Sequence, residues 1–480
     1  MESPHPYGKH PEAAISRNRL WRPLPPVPAP AAVLALALPF VLALALGLWG
    51  LDRGGSMWRD ESVTWQVAHR PVGALAELLG RVDAVHGLYY LLMHEVFALW
   101  DGGPAALRLP SVLATAIAAA GVAAIGLRLA GPRAALCAGT VYALLPPVQM
   151  YAQEGRSYAL VAAAVVWATC LLLRGRWVAY TVLLVLACWL HEFAVLALLA
   201  HAVAGRRVRA WRWSAAVVVA LLAPLAWVST GQAAQQLGWL GRPSWADWAA
   251  YAVVAGLCLL LARGAGRELV TIALPLALLP PGLLLVVSLV HPLYVDRYVL
   301  YALAGPALLA GARAARVDLR GRARRAWAWA AVAALLVPLG WWSVWLRTPE
   351  SRKDDAYAVA AAVRERARPG DAVLFLPARR REWLLSSPDV YGGLRDLALD
   401  RTPTHSRSLW GTELGAAELR GRLMAAPRVI ALLDPVGQPV DPYPREAVKR
   451  QTLATHFDLC SVTEVRGARV ALFARPGTCP

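Results

Sequence analysis

Of the 480 residues, 58% are hydrophobic and only 17% are charged, whereas an ordinary soluble domain carries about 25% charge. The net charge of +18 suggests nucleic acid, but the basic clusters "RRVRAWR" (Arg206 to Arg212) and "RARR" (Arg322 to Arg325) stand between apolar runs. Lys and Arg in short loops between apolar runs set membrane orientation, so the composition excludes a soluble enzyme, argues against a nucleic-acid partner and points to a polytopic α-helical membrane protein.

Residues 1–30 are Pro-rich and basic, with no small-residue cleavage site behind a short apolar core. They are expected to form a disordered cytoplasmic tail before an uncleaved span. Placing the basic loops inside predicts about eleven transmembrane helices within residues 31–346. These fall near 31–51, 109–129, 134–148, 158–173, 177–190, 193–204, 213–228, 246–262, 269–290, 299–311 and 327–346. Inner loops then hold most of the Lys and Arg, and outer loops most of the acids. The first outer loop, 52–107, is long, polar and aromatic, and a short hairpin carries His191 and Glu192 at its outer tip.

From about Thr348 charge becomes frequent and no run could span. The segment "YAVAAAVRERARPGDAVLFLP" reads as an amphipathic helix, a turn and a buried strand, and "RVIALLD" and "RVALFARP" as further strands. Residues 347–480 are therefore expected to form a small extracytoplasmic α/β domain. Cys137, Cys170, Cys188 and Cys258 lie in apolar runs as packed thiols. Cys460 and Cys479 lack zinc-site spacing, and a disulfide between them stays open, depending on the compartment.

The candidate site residues fall in outer loops or, for Tyr158, at the outer end of a span. In "MWRDES", Asp60 reads either as the N-cap of a helix starting at Glu61, which would suit the first-turn dipole, or as part of a reaction centre. Neighbours on a helix point about 100° apart, so the pair divides into one base and one ionic or hydrogen-bonding partner. In "RVDAVHGLYYLLMH", Asp83 and His86 stand three residues apart and could converge on one ligand or ion, ahead of Tyr89 in an aromatic belt. "YAQEGRSYAL" packs Glu154, Arg156 and Tyr158 into one turn, and "YVDRYVL" holds Arg297 and Tyr298. A guanidinium suits a phosphate through paired hydrogen bonds, although arginines at membrane ends also snorkel. There is no GxxxxGK[ST], nucleotide-binding glycine fingerprint, HExxH or GxSxG. The lack of a nucleotide site favours a lipid-carried donor.

The order "RDE" after the first span, then "DAVHGLYYLLMH", "LRLPSVLA", "YAQEGRSYAL", a hairpin His and "DRY" resembles bacterial membrane glycosyltransferases of the GT-C superfamily. The branch it resembles is family 39, which is protein-O-mannosyltransferase-like. The resemblance spans roughly residues 31–346, with a family-like extracytoplasmic domain after it. It implies Asp60 as catalytic base and Glu61 as neighbouring acid. Asp83 and His86 match an Asp-x-x-His-Pro-Pro-Leu-Tyr-Tyr pattern, with Gly87 where prolines are expected. Glu154, Arg156 and Tyr158 match the second outer loop, near a lipid phosphate and any divalent metal, for which Glu61, Asp83 and Glu154 are the candidate ligands. His191, Arg297, Tyr298 and Tyr89 complete the expected substrate-binding set. The implied reaction moves a mannose-like sugar, with inversion, from a polyprenyl-monophosphate donor to a hydroxyl of a glycan, lipid or protein at the extracytoplasmic face. The alternative is a polytopic transporter or lipid flippase with a periplasmic domain, although transporters usually place charge near the midplane and in repeated halves.

Overall fold

In lipid, a long uncharged run satisfies its backbone N–H and C=O groups by forming a helix. The computed structural model, which describes residues 28–237, 240–318, 320–439 and 441–479, is built on that solution. The expected tail lies almost wholly in residues 1–27, outside the described residues. Helix α1 (Ala29–Leu48) leads to three short helices, α2 (Arg59–Ala68), α3 (Val72–Leu79) and α4 (Gly87–Leu99). Then come α5 (Gly103–Ala130), α6 (Pro132–Leu144), α7 (Pro146–Ala152), α8 (Tyr158–Leu173), α9 (Trp177–Leu190) and α10 (Ala197–Gly205). The helical part closes with α11 (Arg209–Leu237), α12 (Trp245–Ala262), α13 (Arg267–Val287), α14 (Ala304–Ala314) and α15 (Arg322–Trp345).

Six of these, α1, α5, α11, α12, α13 and α15, are long and apolar enough to cross a membrane. The other five expected spans fall on the shorter helices α6, α8, α9, α10 and α14, so length secures six of the eleven expected crossings. The breaks have local causes. Leu145 is extended before Pro146, whose ring disfavours the helical region at the preceding residue. The third run therefore ends at Leu144 and α7 takes a new direction. The sixth and tenth runs open as 3-10 turns, Glu192–Leu196 and Asp296–Leu303, before becoming α10 and α14.

Helix α5 is the hub, with 67% of its apolar window buried, against 6% for α12 and α15, whose apolar faces are left for lipid. Small residues permit the close helix approaches. A Cβ on Gly47 of α1 would stand 2.6 Å from Val112 of α5, and one on Gly139 of α6 would stand 2.7 Å from Pro39 of α1.

After α15 the chain forms a small sheet domain. Helix α16 (Ala356–Arg366) precedes β1 (Ala372–Leu376), α17 (Arg381–Leu385), β2 (Arg395–Asp396), β3 (Leu399–Arg401), β4 (Thr412–Glu413), β5 (Arg428–Leu433), β6 (Asp458–Val465) and β7 (Ala468–Ala474). The main sheet runs β2-β1-β5-β7-β6, with β1 parallel to β2 and β5, and β7 antiparallel to β5 and β6. The run "AVLFL" of β1 is buried throughout, as suits a strand covered on both faces. Val359, Val363, Phe375 and Ile430 pack on one face, and Leu374, Leu419, Leu423 and Val429 on the other. Cys460 and Cys479 are joined by a disulfide.

This domain docks directly on α2. Asp355 caps α16 by accepting from Tyr357 N at 3.1 Å and Ala358 N at 3.2 Å, and the same oxygen accepts from Met57 N at 3.2 Å. Asp354 accepts from Arg59 N at 2.8 Å. Ser62 Oγ donates to the Glu382 carbonyl at 2.7 Å. The sheet domain thus grips the N-terminal turns of the helix that carries Asp60.

Candidate active site

Helix α2 begins two residues earlier than expected. Trp58 is the N-cap and Arg59 the first helical residue, so Asp60 sits inside the first turn and does not cap it. Glu61 instead reaches back to accept from Trp58 N at 3.4 Å. This corrects the capping reading of Asp60 and frees its side chain to face outward.

The adjacent carboxylates then take opposite environments. The Glu61 side chain is 0% exposed and accepts from Arg53 Nη2 at 2.5 Å, Arg108 Nε at 2.7 Å and the backbone N–H of Gly155 at 3.1 Å. Burial pushes its pKa up, but Arg108 and Arg53 outweigh burial and hold it down at about 2. Glu61 therefore ties α2, α5 and the loop before α8 together, and touches none of the groups around Asp60. Its expected place as a catalytic acid is corrected to a positioning one, because every direction around it is filled by a donor.

The Asp60 side chain is 20% exposed. One carboxylate oxygen lies 3.5 Å from Arg297 Nη2 and 3.9 Å from Arg156 Nη2, and the other lies 3.9 Å from Arg59 Nε. Arg156 and Arg297 come from elements far apart in sequence, the loop before α8 and the 3-10 turn before α14. Gly155 makes the first loop possible, because an added Cβ there would collide with the Leu107 side chain.

Aromatic residues hold both arginines in place. Arg297 Nε donates to Tyr158 Oη at 3.1 Å, and its guanidinium carbon stands 5.5 to 5.8 Å from the rings of Tyr158, Trp58 and Tyr298. Asp296 accepts from Arg297 N at 2.8 Å and from Tyr151 Oη at 3.2 Å. Arg156 Nη1 donates to Tyr90 Oη at 3.3 Å, and Tyr90 donates to Asp83 at 2.7 Å. Asp83 adopts a left-handed backbone (φ 62°) that Asp tolerates better than most residues. Burial raises its pKa, with Arg156 opposing.

His86 and His191 lie behind this rim with ring centroids 6.0 Å apart, and His191 stands 4.4 Å from Tyr298. Burial lowers the His86 pKa, and Arg156 adds to the effect, keeping the imidazole neutral. Both Nδ1 atoms are buried without a partner among the described residues. Gly87 allows the approach of α4 to α3, since a Cβ there would stand 2.9 Å from Leu79 Cδ1. Tyr89 is wholly buried in the hydrophobic core and does not join the rim.

The three candidate metal ligands are held apart by different partners. Glu61 belongs to Arg53 and Arg108, Asp83 to Tyr90, and Glu154 to Arg352 at 3.3 Å. Among the described residues no three of His, Cys, Asp or Glu gather as a metal site. The expected divalent-metal site does not fit this donor set.

Sequence reading missed Arg53, Arg108 and the sheet-domain residues Arg352, Asp354 and Glu382. Arg108 is quoted in "LRLPSVLA", but nothing local marks it as the partner of a carboxylate 47 residues earlier. Glu382 helps to line a cleft of about 250 Å³ with Arg59, Asp354, Arg380 and Trp383. Burial pushes its carboxyl up to about 8.

The arrangement offers one partly open carboxylate facing two arginines, a pattern suited to removing a proton beside an anion. No protein-family model matches the chain, and no curated protein matches its sequence. Among solved structures, it is similar to ArnT from Cupriavidus metallidurans in the apo state, with a TM-score of 0.56 and 13% identity over 91% of this chain and 97% of that one. Against ArnT bound to undecaprenyl phosphate, the TM-score is 0.51 at 15% identity, over the same shares of the two chains. A weaker likeness, with a TM-score of 0.40, is to the arabinosyltransferase EmbB from Mycobacterium smegmatis, and covers 62% of this chain and 32% of that one. The likeness to ArnT is one of fold, and it extends over most of this chain, whose helical body holds six helices long and apolar enough to cross a membrane.

Proposed function

We propose that the chain is an integral-membrane glycosyltransferase that takes its sugar from a polyprenyl monophosphate and attaches it to an acceptor hydroxyl. The observation that carries this reading is the set of Asp60, Arg156 and Arg297, with carboxylate and guanidinium groups 3.5 to 3.9 Å apart. These distances exceed hydrogen-bonding contact, so both cations keep donors for a phosphate beside Asp60. The likeness to a protein whose structure was solved with undecaprenyl phosphate supports a lipid-carried donor.

In this mechanism an Asp60 oxygen removes the proton of the acceptor hydroxyl as that oxygen attacks the anomeric carbon. The bond from this carbon to the phosphate oxygen breaks on the opposite side, inverting the centre, and polyprenyl phosphate leaves. Arg156 and Arg297 stabilise the negative charge gathering on the leaving phosphate. Tyr158, Trp58 and Tyr298 keep Arg297 aimed, and the Asp83–Tyr90 pair does the same for Arg156. General-base assistance of this kind contributes about 10²- to 10⁴-fold in rate. The loop-charge pattern supports an extracytoplasmic side for this end of the molecule and the sheet domain. The sugar is mannose-like by the sequence resemblance.

The test of the donor class uses purified protein in lipid with radiolabelled sugars presented as polyprenyl monophosphates or as nucleotide sugars. Transfer from the lipid-linked form alone is the expected result. Transfer from a nucleotide sugar without any lipid carrier would overturn the reading.

A further inference from the structure

A second concave site lies at the other end of the helical body. Arg108 and Leu129 both belong to α5, and 21 residues of α-helix at 1.5 Å each separate them by about 30 Å, the thickness of a bilayer core. Around Leu129 the ends of α5 and α14 meet the starts of α6 and α13, leaving a recess of about 460 Å³. That volume lies within the usual range for small-molecule sites.

The walls divide by chemistry. Leu129, Ala130, Pro132, Ala312 and Ala315 form an apolar side, and Arg133 and Arg316 supply the charge. Both arginines are exposed, and the Arg316 guanidinium is anchored by donating to the Gly264 carbonyl. Helices α6 and α13 both start at this recess without a side-chain cap, so their positive N-terminal ends add to the two arginines. The nearest acids in sequence, Glu268 and Asp318, do not line it. The recess is held open by close packing beneath it, where a Cβ on Gly126 would stand 3.0 Å from Ala135 Cα.

We propose that this recess seats the head group of an anionic phospholipid of the phosphatidylglycerol class. Arg133 and Arg316 would hold the phosphate, and the Leu129–Ala130–Pro132 side would cover the glycerol and first methylenes. A soluble anion would use the arginines but gain nothing from the apolar wall, and a zwitterionic lipid would bring its own cation against both guanidiniums. The basic loops around the recess would concentrate anionic lipid near it, but only the recess offers both chemistries at once. The proposal does not depend on the transfer reaction assigned to the Asp60 end.

The test is native mass spectrometry of the full chain released from mixed phosphatidylcholine and phosphatidylglycerol nanodiscs. The wild type is expected to retain one phosphatidylglycerol per chain. Arg133→Gln and Arg316→Gln should each weaken retention about fivefold, and Ala315→Trp, which fills the recess without changing charge, should weaken it similarly. Arg207→Gln, an exposed arginine of another loop at the same end, should leave it unchanged. Equal loss in Arg207→Gln would overturn the proposal, as would full retention in the recess variants. Displacement of the lipid by millimolar inorganic phosphate would also overturn it, by marking a soluble-anion site.

Discussion

Asp60 and Glu61 differ by one methylene and one position, yet helix geometry sends one toward open space and the other into the protein. That the two would divide their roles is legible in the sequence, since neighbours on a helix cannot converge. Which of them turns inward cannot be read from the residues themselves, because it depends on Arg53 and Arg108, the second of them 47 residues away. Removing Glu61 leaves two arginines buried and unpaired, so Glu61→Ala is expected to destabilise the protein by about 3 to 5 kcal/mol, measured as thermal unfolding in detergent. A stability unchanged within error would refute the positioning role.

Glu154 gives the opposite electrostatic case at the same scale. Burial raises its pKa from the ordinary 4.5 to about 7, despite Arg352 and Arg297. The folded state therefore holds a proton that the unfolded chain has released, and this residue makes stability fall as pH rises from about 4.5 to about 7. Glu61, with its pKa held down, acts in reverse and withdraws stability only as pH falls from 4.5 toward 2. Glu154→Gln is expected to flatten the unfolding profile between pH 5 and 7, checked by melting temperature across that window. A profile as steep as the wild type would count against it.

At the scale of elements, the apolar runs announce nearly every helix, because no other structure satisfies their backbone in lipid. The breaks were harder to read. Pro146 is a visible stop, but "EFAVL" and "DRYVLYAL" carry no glycine or proline, and these 3-10 turns pack against α8, α9, α11 and α13. The loop before α8 shows how one element serves both carboxylates: Gly155 donates to Glu61 and the next residue, Arg156, faces Asp60. Gly155→Ala puts a methyl into the Leu107 side chain, which is expected to cost about 1 to 3 kcal/mol and to displace Arg156. The measurement pairs melting temperature with the donor KM, and a rise in KM beyond what Leu107→Ala produces separates loss of aim from simple loss of packing.

At the scale of the molecule, the sheet domain and the outer loop form one unit. Asp354 and the Glu382 carbonyl bind Arg59 and Ser62 of α2, and Asp355 binds Met57 just before it, all within three residues of Asp60. The presence of the domain was legible from the change in composition near Thr348. Its grip on α2 was not, since it depends on contacts between residues nearly 300 positions apart. The fold itself was legible in the order of short polar motifs between apolar runs, even though identity to structures of the same fold is only 13 to 15%. Reporter fusions after Ala210 and Asp400 are expected to report opposite sides of the membrane, cytoplasmic for the first and extracytoplasmic for the second. A cytoplasmic signal from Asp400 would place the sheet domain, and the Asp60 end with it, on the wrong side for this account.

The central claim is that Asp60 takes the acceptor proton. Asn at this position keeps the shape and removes the base, and leaves Arg156 and Arg297 free to bind the donor phosphate. The decisive measurement is single-turnover transfer from a radiolabelled polyprenyl-phosphate sugar by purified Asp60→Asn, beside its binding of undecaprenyl phosphate. The account requires lipid binding to persist while transfer falls by about 10²-fold or more; transfer at the wild-type rate would contradict it.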